Sequence, residues 1–189
     1  MADFRTGRLR SAQYSLPAPA RRSRRARSRI EEALMAELKP GDEAPGFSLL
    51  DQSGKKVKLS DFQGRKLLVY FYPRADTPGC TKQACSLRDH RQDLVGLGLD
   101  IVGISPDPPE QQKKFDEKYG LGFPLLSDVD HEAAEAWGAW GEKSMYGRKS
   151  EGIIRSSFLV DERGKISHVW YRVKPEDTYA KAAEALATA

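Results

Sequence analysis

The sequence predicts an α/β domain in which helices flank a mixed central sheet. Two runs, residues 67–72 and 99–105, are mostly apolar, of strand length, and suited to strands that are buried on both faces. Helical patterns alternate with these strands, and a hairpin and a last helix follow them. A chain of 189 residues, 39% hydrophobic and 31% charged, is long enough for one full hydrophobic core and short for two.

The first predicted elements lead into the central strand. An N-terminal β-hairpin is predicted from strands at residues 47–50 and 57–59, which flank a polar turn containing Gly54. Residues 67–72 are six consecutive apolar or aromatic residues, and this pattern favours a strand at the centre of the sheet. Pro73 ends that strand because proline has no N–H to donate to the sheet.

A helix is predicted over residues 80–97, with Ala84, Leu87, Leu94 and Val95 on one broad apolar side. The elements after it are indicated by short apolar runs, by proline at a first helical turn and by a turn containing glycine. They are a strand at 99–105, a helix from Pro108 or Pro109 to Tyr119, a strand at 124–127, a short helix at 131–137, a hairpin of 155–160 and 165–170, and a final helix at 175–186.

The positive charge is concentrated at the N-terminus. Residues 1–34 contain nine Arg and three acidic residues (+9 − 3 = +6), and the remainder has 22 basic and 24 acidic residues (−2), which together give the net +4. We expect residues 1–36 to be a disordered basic tail, because residues 1–29 show no apolar periodicity, and residues 37–189 to form the folded domain. The tail could be a transit peptide, an arm for nucleic acid or an anionic surface, or an over-long start before Met35.

Neither a membrane span nor a secretory signal is predicted. No apolar run approaches the roughly 18 residues of a membrane-spanning helix, and no apolar core of a signal peptide follows the basic residues. We therefore expect a cytoplasmic protein, or an organellar one if the tail is a transit peptide. Nucleic acid binding is not expected of the folded domain.

The chain has two cysteines, Cys80 and Cys85. One pair cannot form a disulfide scaffold for a domain of this size, so we expect a chemical role for the cysteines and not a structural one. Thr77 and Pro78 are typical of an N-cap and a first helical position, which would place Cys80 in the first turn of a helix. Free backbone N–H groups and the positive end of the helix dipole stabilise a thiolate there, and the thiolate is the reactive form of cysteine. Cys80 is therefore predicted to be a nucleophile.

The spacing of Cys85 from Cys80 carries a conformational prediction. Five positions along an α-helix separate two Cα atoms by about 7.5 Å along the axis and about 140° around it, or roughly 8.6 Å in space. A disulfide tolerates a Cα separation of at most about 7 Å. If the two cysteines react with each other, the first turn of the helix must unwind.

Pro73, Thr77 and Cys80, spaced as Pro-x3-Thr-x2-Cys after a buried aromatic strand, resemble the active-site signature of the peroxiredoxins. The second cysteine five residues on makes the chain similar to the bacterioferritin comigratory protein (PrxQ) branch. So do the segments Gly-Asp-x-Ala-Pro at 41–45 and Trp-Gly-Glu-Lys at 140–143. The resemblance covers about residues 37–187 and implies a thioredoxin-like fold.

The resemblance also implies the site. Cys80 would be the peroxidatic cysteine, Cys85 the resolving cysteine that forms a disulfide with it, and Pro73 and Thr77 would shape the pocket. The segment 152–159 matches the strand that carries an active-site arginine in the family, which assigns Arg155. The implied partners are a hydroperoxide and a reductant such as thioredoxin or a glutaredoxin-like protein, with no metal or organic cofactor. A monomer is expected.

Other interpretations of the cysteine pair stay open from the sequence alone. A thioredoxin-like dithiol oxidoreductase uses Cys-x-x-Cys, a tighter spacing than the one here. A redox sensor would report oxidation to a binding partner instead of turning over peroxide. Metal binding is disfavoured, because Cys-x4-Cys is not a usual zinc spacing and the three histidines are scattered along the chain.

Overall fold

The structure is a computed structural model that describes residues 37–145 and 148–188, so the predicted basic tail lies outside the described residues. Its elements, numbered in chain order, are β1 (Ser48–Leu50), β2 (Lys56–Lys58), β3 (Lys66–Phe71), α1 (Pro78–Asp89), α2 (Arg91–Gly96), β4 (Leu99–Ser105), α3 (Pro109–Tyr119), β5 (Leu125–Ser127), α4 (Glu132–Ala136), β6 (Trp140–Met145), β7 (Arg148–Ile153), β8 (Ser156–Val160), β9 (Ile166–Tyr171) and α5 (Asp177–Ala187).

The central sheet is mixed, as predicted, and has the order β2-β1-β5-β4-β3-β8-β9. The central strand β3 runs parallel to β4 and antiparallel to β8, and β4 runs parallel to β5. The N-terminal hairpin of β1 and β2 joins the sheet through β5. The predicted α/β fold with an N-terminal hairpin is therefore confirmed.

Strand β3 is buried on both faces, because alternate side chains enter two separate hydrophobic clusters. Leu68, Tyr70 and the following Tyr72 pack with Cys80 and with residues of α1, α3 and α5. Leu67, Val69 and Phe71 pack on the opposite face with Trp137 and Phe158. The sheet therefore holds Cys80 against one of the two cores, directly beyond the end of its central strand.

The single helix predicted over residues 80–97 is wrong in one respect, because it is interrupted at His90. His90 leaves helical geometry, stacks on Tyr179 of α5 with ring centroids 3.7 Å apart, and places Nδ1 2.9 Å from the carbonyl oxygen of Ser86. In α2, Leu94 is buried as expected, whereas Val95, expected on the apolar side, is 51% exposed.

The hairpin of β6 and β7 was not predicted from the sequence. It forms a separate two-stranded antiparallel sheet, in which Trp140 pairs with Ile153. Its sequence is rich in glycine and charged residues and lacks the alternation of apolar and polar residues that indicates a half-buried strand. Among the helices of residues 37–145 and 148–188, none has both the length and the apolar character of a membrane span.

Candidate active site

Cys80 lies at the start of α1, where the connection from β3 ends. Thr77 is the N-cap residue with extended backbone (φ −93°, ψ 152°), and Pro78 is the first residue of the helix. Cys80 therefore lies in the first turn, as predicted, with its backbone in the region where helical N–H groups have no intrahelical acceptor. Its side chain is only 2% exposed, so water has little access to the sulfur.

The Thr77 hydroxyl does not cap the helix by a side-chain hydrogen bond. It donates instead to the carbonyl oxygen of Arg74 at 3.0 Å, within the connection that precedes α1. Thr77 is thus an N-cap by position only. Its hydroxyl donates within the connection between β3 and α1, and the hydroxyl oxygen keeps lone pairs that can accept a further hydrogen bond. Pro73, half-buried, lies at the other end of the same connection, next to the end of β3.

Arg155 reaches Cys80 from a distant part of the chain. It lies between β7 and β8, and its Nη2 donates to Cys80 Sγ at 3.2 Å. The first turn of α1 packs closely on this side chain, since a Cβ added at Gly79 would be 3.5 Å from Arg155 Nη2 and 3.4 Å from Pro175 Cγ. A permanently charged guanidinium therefore contacts the sulfur in a place from which solvent is largely excluded.

Gln83 orients Arg155 and was not among the predicted site residues. Its Oε1 accepts a hydrogen bond from Arg155 Nη1, and its Nε2 donates to Thr178 Oγ1 of α5 at 2.8 Å. The Gln83 side chain is completely buried, which is unusual for glutamine. Its position three residues after Cys80, on the same face of a helix, is the sequence signal that would have identified it.

Tyr70 and Tyr72 form the aromatic wall behind the cysteine. Their rings stack with centroids 5.5 Å apart, and both belong to the hydrophobic cluster that contains Cys80. The Tyr72 hydroxyl donates to Gln112 Oε1, whereas the Tyr70 hydroxyl is buried without a hydrogen-bond partner among the described residues. Burial raises the pKa of both phenols above their ordinary range, so both hydroxyls stay protonated at neutral pH.

Cys85 lies on the same continuous helix as Cys80. It is half-buried, packs against the hydrophobic cluster that contains Cys80, and both thiols are free. Because the helix runs without interruption from Pro78 to Asp89, the ideal Cα separation of roughly 8.6 Å applies to the pair. The structure is therefore the reduced arrangement, in which the two sulfurs cannot bond while the helix is intact.

The site contains thiols, a guanidinium, hydroxyls and an amide, and it lacks a usual metal-ligand set. Among the described residues, no group of three or more His, Cys, Asp or Glu side chains lies close enough together to hold a metal ion. A thiol in contact with a guanidinium is an arrangement suited to nucleophilic attack by a thiolate, with Arg155 placed to stabilise negative charge.

The chain is similar to known proteins. Residues 40–169 match the AhpC/TSA family. The chain is 57% identical over 136 residues to peroxiredoxin Bcp of Escherichia coli K12, which covers 72% of this chain and 87% of that protein.

Two solved structures are also similar. The bacterioferritin comigratory protein of Xanthomonas campestris, whose structures address its alkyl peroxide reduction activity, superposes with a TM-score of 0.71 at 32% identity over 75% of this chain and 90% of that one. Peroxidoxin BcpB of Mycobacterium tuberculosis superposes with a TM-score of 0.72 at 32% identity over 80% and 98%. The chain therefore belongs to the AhpC/TSA family and is a peroxiredoxin of the Bcp/PrxQ type, a thiol peroxidase with a thioredoxin-like fold.

Proposed function

We propose that Cys80 is the peroxidatic residue, and the contact between Arg155 Nη2 and Cys80 Sγ carries this assignment. The Cys80 thiolate attacks one oxygen of the hydroperoxide, so that an S–O bond forms, the O–O bond breaks and the second oxygen leaves as water or an alcohol after protonation. Cys80 is oxidised to a sulfenic acid, and the peroxide is reduced. Arg155 stabilises the thiolate and the negative charge that develops on the leaving oxygen.

Thr77 and Pro73 complete the pocket in this proposal. The Thr77 hydroxyl, which donates to the Arg74 carbonyl, keeps an acceptor lone pair for the peroxide O–H. Pro73 presents a surface without an N–H, so it limits water near the thiolate and offers no competing donor. Both residues belong to the connection between β3 and α1, whose geometry thereby aligns the substrate with Cys80.

The second step is a disulfide between Cys80 and Cys85. The Cys85 sulfur attacks the sulfenic sulfur of Cys80, an S–S bond forms, the S–O bond breaks, and the oxygen leaves as water with the proton of the Cys85 thiol. Because both residues lie on α1, the first turn of that helix unwinds before the bond forms. A dithiol reductant then reduces the disulfide by exchange, and we assign thioredoxin or a glutaredoxin-like protein to this step.

The substrate class we propose is hydrogen peroxide together with organic hydroperoxides. The alkyl peroxide activity of the related Xanthomonas protein supports the organic substrates. We further propose a cytoplasmic monomer without cofactors, with residues 37–189 as its peroxidase domain and residues 1–36 as a separate basic segment. Deletion of residues 1–34 is then expected to leave the peroxidase rate unchanged, and a loss of rate would contradict this division.

The proposed function is tested by stopped-flow tryptophan fluorescence of the reduced protein mixed with peroxide. Trp170 and Cys85 both pack against the cluster that contains Cys80, so Trp170 reports on changes in α1. We expect wild type to lose two thiols, Cys85→Ser to stop at the sulfenic acid, and Cys80→Ser to be inert. Consumption of peroxide by Cys80→Ser at the wild-type rate would refute the assignment and favour a dithiol oxidoreductase or a redox sensor.

A further inference from the structure

The connection that precedes Cys80 is joined to the end of a neighbouring helix by a cluster of three residues, of which Asp76 and Lys118 are exposed and Tyr119 is half-buried. Lys118 Nζ contacts both Asp76 carboxylate oxygens at 2.8 Å, and the Tyr119 hydroxyl donates to Asp76 Oδ1 at 2.7 Å. Asp76 is the residue directly before the N-cap of α1, and Lys118 and Tyr119 are the last residues of α3. We call Asp76, Lys118 and Tyr119 the latch.

Asp76 has left-handed backbone geometry, with φ of 57°. Residues other than glycine adopt this conformation at a cost, although aspartate tolerates it better than most. A conformation of this kind persists where the surroundings hold it, and the hydrogen bonds to Lys118 and Tyr119 do so here. Release of the carboxylate would free residue 76 to change its backbone angles directly before α1.

Two further contacts hold the residues on either side of the reacting segment. The backbone N–H of Ala75 donates to Asp107 Oδ2 at 2.7 Å, and Asp107 is buried. At the other end, Arg88 Nη1 donates to the carbonyl oxygen of Tyr119 at 2.6 Å. Both cysteines lie between these two attachments, and the latch, whose ion pair of Asp76 and Lys118 is exposed, is the contact at the end where the first turn must unwind.

We propose that the latch is a positioning element for the second catalytic step: it holds the first turn of α1 folded and so limits the rate of the Cys80–Cys85 disulfide. This inference rests on the proposed disulfide. Only the locally unwound form can form the S–S bond, so the rate of this step follows the population of that form. The folded form reacts with peroxide and remains the major species, so weakening the latch raises the rate of the second step and leaves the first almost unchanged.

The test compares Lys118→Met and Asp76→Asn with wild type in the stopped-flow assay. Asparagine keeps the tolerance of residue 76 for left-handed geometry while removing the charge. The phase that does not depend on peroxide concentration is expected to accelerate about two- to fivefold, the size of effect typical of exposed ion pairs. The phase that depends on peroxide should change by less than about twofold, because the folded form remains the major species in both variants.

Lys113→Met is the matched control, because Lys113 pairs with Glu117 on the exposed face of the same helix and not with the loop. It is expected to leave both phases at the wild-type rate.

Added salt should accelerate the second phase of wild type and not that of Lys118→Met, because salt screens exposed charges. The peroxide dose that converts half of Cys80 to sulfinic acid should rise with the second rate, since the two reactions compete for the sulfenic acid.

Two outcomes overturn the latch. In the first, the second phase keeps its wild-type rate in Lys118→Met and Asp76→Asn while it still requires Cys85, which leaves the proposed disulfide standing. In the second, the peroxide-dependent phase changes as much as the second phase, which would make the cluster a general support of the site. A wild-type protein without a phase that requires Cys85 would overturn the disulfide as well, so the two failures are distinguishable.

Discussion

Gln83→Leu is the substitution that tests most directly how Arg155 is held at the sulfur. Leucine fills a similar volume and removes the hydrogen bond that Arg155 Nη1 donates to Gln83 Oε1. Arg155 keeps its charge and loses the partner that aims its second nitrogen at Cys80 Sγ, 3.2 Å away. We expect the peroxide step to slow because the guanidinium no longer has a fixed orientation toward the leaving oxygen.

The magnitude follows from the contacts that are lost. A hydrogen bond to a charged group contributes about 1.5–3 kcal/mol. Every 1.36 kcal/mol is a factor of ten in rate, so the expected loss of rate lies between roughly 13-fold and roughly 160-fold. Because Arg155 is half-buried and water replaces part of the lost bond, we expect a value near the lower bound, about tenfold. The buried Thr178 hydroxyl also loses its partner, which lowers the free energy of unfolding by about 1–3 kcal/mol.

The double variant Gln83→Leu/Thr178→Val separates stability from catalysis. Replacing both partners of a buried hydrogen bond with apolar groups is close to neutral, so the double variant should recover most of the stability lost by Gln83→Leu. It should not recover the rate, since Arg155 still lacks its acceptor. The assays are urea unfolding and the second-order rate constant of the peroxide-dependent phase. A rate in Gln83→Leu within about twofold of wild type, well short of the tenfold predicted for a lost charged hydrogen bond, would refute the positioning of Arg155 by Gln83.

Three further predictions concern the surroundings of the site. Tyr70→Phe should leave the free energy of unfolding unchanged or raise it, because that buried hydroxyl has no partner, whereas Tyr72→Phe deprives Gln112 of a donor and should lower it by about 1–3 kcal/mol. Equal effects in urea unfolding would contradict this contrast. Gly103→Ala should lower the urea midpoint, since its Cβ would lie 2.7 Å from the Tyr70 ring; an unchanged midpoint would show that the ring moves freely. The last prediction is a pH dependence. Hydrogen bonds from Lys118 and Tyr119 lower the pKa of Asp76, so the latch is intact above the ordinary aspartate value of about 3.9 and is lost as pH falls through the lowered value. The ratio of the second-phase rates of Lys118→Met and wild type should therefore stay constant between about pH 5 and 9, and a ratio that falls to one within this range would contradict the assignment.

Local signals in the sequence predicted the part of the site that one segment builds. Six apolar residues directly before Pro73 indicated the central strand, and Thr77 with Pro78 indicated the start of α1. Both signals are local, because strand burial and helix capping depend on neighbouring residues. The position of Cys80 in the first turn and the distance between the two cysteines followed from these signals and from helix geometry. Arg155, 75 residues from Cys80, was assigned only through the resemblance to the peroxiredoxins.

Where local signals were weak, the sequence was a poorer guide. The hairpin of β6 and β7 has no alternating apolar pattern. His90, where the predicted helix breaks, stacks on Tyr179, a residue of the last helix that no local signal near His90 could indicate. The Thr77 hydroxyl was expected to cap α1, but the loop geometry brings the Arg74 carbonyl within its reach. Packing between distant segments therefore decided details that residue preferences alone left open.

The contacts that position the side chains around Cys80 join residues from distant segments of the chain. Gln83 meets Arg155 and Thr178 only because β8 pairs with β3 and α5 packs on α1. Asp76 meets Lys118 only because β4 runs parallel to β3 and α3 returns alongside the loop. The sequence by itself determined the position of Cys80 in the first turn and its separation from Cys85, from which the nucleophile and the unwinding were predicted, because both positions lie along one helix. The orientation of the guanidinium and the hold on the first turn were decided by the tertiary structure, because each joins side chains that only the packed sheet and helices bring together.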